Sequence, residues 1–287
     1  MAKIISICNQ KGGVGKTTTA INAATYLALD NKHVLIIDSD PQANATSGLG
    51  VDKTTVTKSI YDAIISDVNI EEIIQKTMVN NLDLVPSSVS LTGAEVEMVP
   101  FLSREYRLKK SLSAIKDRYD FIIIDCPPSL GLLTINALAA SDSVLIPIQC
   151  EYYALEGLSQ LINTVDLIKK SLNPQLKVEG VLLTMADYRT NLTGEVIKEA
   201  RNFFKDKVYD TVIPRNIRLS EAPSFGKPIH FYDEHSIGAM MYSQLSREML
   251  GEKMSRNAEN SENATNSLNI EQNIATPDSN QSNINGG

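Results

Sequence analysis

Four stretches of this chain are apolar at successive positions: IISIC from Ile4, VLIID from Val34, FIIID from Phe121 and VLIPI from Val144. A strand with one wet face alternates apolar and polar residues, whereas a strand covered on both faces does not. These runs therefore predict buried strands of a parallel sheet with helices on either side. The full set of predicted strands is Lys3–Cys8, His33–Asp38, Leu82–Pro86, Phe121–Asp125, Ser143–Ile148, Val178–Thr184 and Val208–Pro214. Between them, longer patterns with helical spacing fall at Thr17–Leu29, Arg104–Arg118, Leu155–Leu172, Thr193–Phe204 and Ile237–Leu250. Strand–helix alternation of this kind predicts an α/β fold, a doubly wound and mostly parallel sheet joined by right-handed crossovers. Ligands in such sheets sit beyond the carboxyl ends of the strands, which directs attention to the residues after Cys8, Asp38 and Asp125.

The pattern stops at Gly251. Residues 252–287 hold nine Asn, five Ser and two Gln with no aromatic residue. Such a segment has too little apolar surface to offset the entropy of ordering, and it is expected to be a disordered tail. Residues 1–251 are then expected to form a single large domain that can bury a substantial core.

The residues after the first strand, NQKGGVGKTTTA, carry the strongest chemical signal. Gly12, Gly13 and Gly15 permit close backbone approach, so that successive N–H groups around Val14 can face an anion at the start of a helix. Lys16 supplies a point charge for β and γ phosphates and Thr17 a hydroxyl for a magnesium shell, and Thr18 is counted with the loop among the nucleotide-binding residues. The loop departs from the usual P-loop spacing. Gln10 stands where glycine is expected, and a second lysine, Lys11, precedes the glycines.

Two strands end in acids. IIDSDPQAN presents Asp38 and Asp40, with Pro41 stopping the ladder, and YDFIIIDCPPS ends in Asp125 in the form of a Walker B strand. A carboxylate there can hold magnesium directly, hold it through water, or orient an attacking water. Read alone, SDPQ could also be a turn cap. Cys126 has no adjoining base in sequence and reads as a small buried filler.

KGGVGK resembles the deviant Walker A signature of the ParA/MinD family of P-loop ATPases. QKGGVGKTT, DSDPQANATSGLG, IIDCPPSLGLLTINAL, QCEYYALEGLSQL and VIPRNIRLSEAPSFGKPI extend the resemblance over nearly the whole body, toward chromosome-partitioning ATPases of the ParA/Soj type. The resemblance implies ATP and Mg2+ as cofactors and an ATP-dependent homodimer in which Lys11 reaches the phosphates of the other subunit. It implies that Asp40 positions the water, that Asp38 supports the metal shell with Thr17 and Asp125, and that Pro214 and Asn216 contact the nucleotide. It further implies non-specific double-stranded DNA binding by Arg189, Arg218 and Lys227, and a ParB-type centromere-binding partner that stimulates hydrolysis. Because the first strand begins at Lys3, no amino-terminal helix-turn-helix domain is expected.

Composition constrains the rest. The net charge of −7 excludes a uniformly basic nucleic-acid coat but not a local basic patch. Three distant cysteines without a CxxC pair argue against a disulfide scaffold, a zinc ribbon or a cluster-carrying ATPase. The amino terminus is too short in apolar residues for a signal peptide, and no run approaches a membrane span. A cytoplasmic, nucleoid-associated protein is expected. The alternative, a MinD-like membrane-associated division-site regulator, would need a basic amphipathic helix at the carboxyl end; residues 252–287 have two basic against five acidic residues.

Overall fold

In the computed structural model every predicted strand takes its place in one eight-stranded sheet. Residues 1–151 and 156–252 are described; the expected tail lies outside them apart from Glu252, as does the predicted helix start at Leu155. In chain order the elements are β1 (Lys3–Ile7), α1 (Lys16–Leu29), β2 (Val34–Asp38), α2 (Asn44–Gly48), α3 (Ile60–Ile65), β3 (Gln75–Lys76), β4 (Leu82–Val85), α4 (Leu91–Glu97), α5 (Arg107–Leu112), β5 (Phe121–Asp125) and α6 (Leu132–Ala140). They continue with β6 (Ser143–Gln149), α7 (Glu156–Ser171), β7 (Lys177–Ala186), α8 (Asn191–Phe204), β8 (Val208–Pro214), α9 (Ile217–Glu221), α10 (Ile229–Tyr232) and α11 (Ile237–Met249).

The strand order is β3-β4-β2-β5-β1-β6-β7-β8, parallel throughout except for the short antiparallel edge strand β3. β1 lies between β5 and β6, and the chain winds away from it on both sides. This is the switch point at which a doubly wound sheet opens a crevice.

The unbroken apolar runs have the cause that the pattern implies. Successive strand residues point to opposite faces, and here each face has its own core. Ile5, Ile7, Val34, Ile36, Phe121 and Ile123 pack with α1, α10 and α11. Their neighbours Ile4, Leu35, Ile37, Ile122 and Ile124 pack on the other face with the helices from α3 to α8. All five residues of β2 and of β5 are buried, the terminal aspartates included.

One predicted element is corrected. Arg104–Arg118 is not a continuous helix: a 3-10 turn at Arg104–Tyr106 leads into α5, and a second turn occupies Lys116–Arg118. Leu108, Leu112 and Ile115 still reach the core, which accounts for the helical spacing. The Ser113 hydroxyl donates to the Lys110 carbonyl at 2.6 Å, local side-chain bonding of a kind that competes with helix continuation.

The segment after α9 returns to the site and meets the loop after α2 at two glycines. Gly50 and Gly226 both have left-handed backbones, with φ of 84° and 64°. A Cβ added at Gly226 would stand 2.9 Å from the Gly50 Cα, a backbone atom that cannot swing aside. Gly226→Ala combines backbone strain with that clash and should destabilise by about 2 kcal/mol. Thermal unfolding should show a midpoint lower by roughly 5 °C. An unchanged midpoint would mean that this approach is not tight in solution.

Candidate functional site

The loop between β1 and α1 is held from below before it meets any ligand. Asn9 donates from its side-chain amide to the Pro147 carbonyl at 2.7 Å and accepts from the Lys11 N–H at 3.0 Å. Thr184, at the end of β7, donates to the Val14 carbonyl at 2.9 Å. Gly13 and Gly15 adopt φ of 75° and 87°, conformations that suit glycine. Cβ atoms added at Gly12 and Gly13 would meet nothing within 4 Å, so these two glycines border open space.

The two lysines divide between inside and outside. Lys16 is buried and its Nζ donates to the Lys11 carbonyl at 3.3 Å, folding the ammonium into the loop. Lys11 is exposed, and its Nζ lies 3.2 Å from the equally exposed Glu151 carboxylate. A loop with open N–H groups, a buried ammonium and a helix start is an anion cradle of phosphate size.

The acids lie side by side. Asp38 of β2 and Asp125 of β5 are partners in register, and Ile7, one residue before Cys8, is the partner of Asp125 on the other flank. The two acids have opposite surroundings. Asp38 Oδ2 accepts the Thr46 N–H and the Thr46 hydroxyl, both at 2.7 Å, and Oδ1 accepts the Asp40 N–H at 3.2 Å. Thr46 Oγ1 in turn accepts the Ser87 N–H at 2.9 Å. Both Asp125 oxygens are buried and no donor reaches them in good hydrogen-bond geometry, although the Thr17 hydroxyl is close enough to favour the charged form. Burial pushes the Asp125 carboxyl well above the ordinary range, reinforced by the Asp38 charge, while the Thr17 hydroxyl and Lys16 pull the other way. Burial also pushes Asp38 up, to about 6, against the bonds from Thr46 and Asp40 that favour its charged form.

An unpartnered carboxylate in a dry pocket beside a phosphate cradle is what a divalent cation would satisfy. The residues present fit a magnesium ion, with Asp125 and Thr17 nearest to that task. Asp38 is already engaged in clamping the loop that follows it. That loop carries Asp40, which is buried and accepts the Gln42 N–H at 2.9 Å. Ser39 ties the same loop to β5 by donating its hydroxyl to the Asp125 carbonyl at 2.7 Å.

Beside the loop, a cavity of about 300 Å³ is lined by Gly15, Thr18, Met185, Pro214, Asn216 and Tyr242, among others. Pro214 ends β8, and the Asn216 side chain caps α9 by accepting the Leu219 N–H. Its carbonyl oxygen is thus committed to the helix start. Met185 and Thr184 were not visible as site residues in the sequence. The one signal that could have marked them is their place at the end of a buried strand; the left-handed φ of 52° at Met185 is a product of the fold.

The three basic candidates are exposed at the same carboxyl edge, with Arg189 after β7 and Arg218 and Lys227 after β8. Arg189 forks onto Asp187 at 2.8 and 2.6 Å, and it holds that carboxyl down at about 2. Arg218 pairs with Glu221 at 3.1 Å and with Asp233 at 3.4 Å. Among the described residues no helix is long and apolar enough to cross a membrane.

Sheet, loop and acids together define a P-loop nucleotide-binding protein of the α/β class. A family model described as an AAA domain matches residues 2–178. The chain is 62% identical over 249 residues to the sporulation initiation inhibitor protein Soj of Bacillus subtilis, covering 87% of this chain and 98% of that one. It is 56% identical over 250 residues to the chromosome partitioning protein ParA of Myxococcus xanthus, covering 87% and 88%. Cobyrinic acid a,c-diamide synthase from Mycobacterium smegmatis, solved with ADP and magnesium, superposes with a TM-score of 0.77 at 33% identity, covering 87% of this chain and 94% of that one. The chain belongs to the ParA/Soj family of chromosome-partitioning ATPases.

The orphaned acid has a measurable consequence. A carboxyl raised by burial contributes stability only while protonated; that contribution is complete below its unfolded value and is lost as pH rises through the folded value. Asp38 places that window between about 4 and about 6, and Asp125 extends it upward. Asp125→Asn cannot titrate, so without nucleotide it should be more stable than the parent at pH 8, and by a smaller margin at pH 5. Thermal scans at both pH values should show that gap, and magnesium with ATP should stabilise the parent much more than the variant. Equal midpoints at both pH values would show that the acid is not strained.

Proposed function

We propose that this protein is a switch ATPase that hydrolyses ATP to ADP and phosphate and drives chromosome or plasmid segregation. ATP would close a homodimer, the dimer would bind double-stranded DNA without regard to sequence, and a ParB-type partner would stimulate hydrolysis and release. The observation that carries this reading is the pair of lysines in one phosphate loop, Lys16 buried within it and Lys11 exposed on its rim. A single-subunit hydrolase has use for the first alone.

Within each subunit Lys16 would hold the β and γ phosphates, with the loop N–H groups from Gly12 to Thr18 around them. Thr17 and Asp125 would hold the magnesium ion, which when bound neutralises charge developing on the phosphates. Asp38 would hold the following loop through Asp40 and Thr46, and Asp40 would orient the attacking water. Lys11 would leave Glu151 and act across the dimer as a second cation at the transferred phosphoryl group, in the manner of an arginine finger. The open space at Gly12 and Gly13 supports close approach of a second loop. Pro214 and Asn216 would contact the base. No sequence-reading groove is needed for the DNA role, because Arg189, Arg218 and Lys227 would exchange their carboxylate partners for phosphates. The protein would then work in the cytoplasm on the nucleoid.

The test combines nucleotide and DNA measurements on the full chain. Lys16→Ala should lose ATP binding, while Asp40→Ala should bind ATP and hydrolyse it at least tenfold more slowly. In the Asp40→Ala background ATP should produce a dimer by light scattering, and adding Gly12→Val should abolish it. DNA should co-sediment with the ATP form and not with the ADP form, with a slope of log K against log salt of roughly −5 if six phosphates are neutralised. Arg218→Ala should weaken binding to all sequences alike. Equal affinity of the ADP and ATP forms for DNA, or parental hydrolysis by Asp40→Ala, would sink the proposal.

A further inference from the structure

The chain has three cysteines, and all three are free and buried. Two of them are together at the floor of the phosphate site. Cys8 follows β1 and Cys126 follows β5, and the residues before them, Ile7 and Asp125, are partners in register. Their sulfur atoms are 3.0 Å apart, and the Cys126 N–H donates to the Ile7 carbonyl at 3.3 Å. Cys8 immediately precedes Asn9, where the phosphate loop begins, and Cys126 immediately follows the unpartnered Asp125.

We propose that Cys8 and Cys126 are a thiol-oxidation site, whose disulfide would tie the start of the phosphate loop to the end of the Asp125 strand. The oxidant class is a peroxide. The geometry permits the bond. In-register neighbours on adjacent strands are about 4.8 Å apart, within the Cα separations that disulfides span, and the sulfurs need to close by about 1 Å. One thiol loses its proton and its sulfur attacks a peroxide oxygen; the O–O bond breaks, giving a sulfenic acid and a hydroxide, which takes up the released proton and leaves as water. The second sulfur then attacks the first, the S–O bond breaks, and a second water leaves. Two protons and two electrons pass from the thiols, and one hydrogen peroxide becomes two waters.

Burial makes a thiol inert while it lasts. Oxidation therefore needs the loop above Cys8 to lift, and any ligand that holds the loop down should slow it. This consequence rests on the phosphate-binding reading of the loop, whereas formation of the bond does not. Once made, the link would fix the spacing between Asn9 and Asp125, on which a phosphate-bound cation depends.

The nucleotide-free full-length protein is treated with hydrogen peroxide, and free thiols are counted after denaturation. The count should fall from three to one, and mass spectrometry under non-reducing conditions should find the Cys8 peptide joined to the Cys126 peptide, with Cys150 still free. Mg-ATP should slow this at least fivefold. The oxidised protein should bind a fluorescent ATP analogue at least tenfold more weakly, and dithiothreitol should restore binding. In Cys8→Ser and Cys126→Ser no such disulfide can form, so the remaining sulfur can go no further along this route than a sulfenic acid that dithiothreitol reverses, and neither variant should show the parent's tenfold loss of affinity for the analogue. Three surviving thiols in the parent, or a bond to Cys150, would overturn the site. A disulfide formed equally fast with Mg-ATP, in a reduced protein that binds the analogue, would overturn its coupling to the loop. A reduced parent that does not bind the analogue would count against the nucleotide reading and leave the thiol count to judge the cysteine pair.

Discussion

Two carboxylates are forced to share one dry edge of the sheet, and the site is organised around that constraint. Parallel pairing puts Asp38 and Asp125 level with each other at the ends of β2 and β5, with β1 level on the other flank of β5. Neither acid can retreat, because each ends a strand buried on both faces. Like charges so close in a low dielectric are costly, and the fold relieves only one of them. Three donors from the following loop satisfy Asp38; Asp125 receives none.

That asymmetry explains the loop as well as the acids. A segment of a few residues after a strand would ordinarily be mobile, yet Asp40 is buried and its turn is fixed at both ends. Asp38 grips it at Asp40 and Thr46, Ser39 binds it to the end of β5, and Ala43 adopts a left-handed backbone within it. Unrelieved charge and local strain are tolerated where the surrounding structure over-determines them, and such places tend to be functional. Here the unpartnered acid lies within the field of Lys16, which is folded back on its own loop.

At the outer edge the electrostatics follow a different logic. Arg189 and Arg218 are exposed and each already has a carboxylate partner, so their field at a distance is largely cancelled. Exposed pairs of this kind are weak and exchange readily in salt. A net charge of −7 therefore says little about the local field around these two arginines.

The strands, the phosphate loop and the acidic strand ends were legible in the sequence because each is a local signal. Consecutive apolar residues require two covered faces, a run of glycines and a lysine requires a tight anion-binding turn, and an aspartate after FIII must sit at the strand end. The continuous helix expected over Arg104–Arg118 was not legible as broken, because its leucines keep helical spacing while Ser113 bonds locally and α5 stops at Leu112. The ranking of Asp38 and Asp125 belongs to tertiary structure alone. Nothing near either residue in sequence says that Thr46, itself held by the Ser87 N–H from a separate segment, engages one carboxylate and leaves its neighbour without such a clamp. Thr184 beneath the loop, the approach of Gly226 to Gly50 and the meeting of Cys8 with Cys126 are likewise products of strand order and crossover packing. Sequence sets which residues can do chemistry at a strand end; register sets which of them are left free to do it.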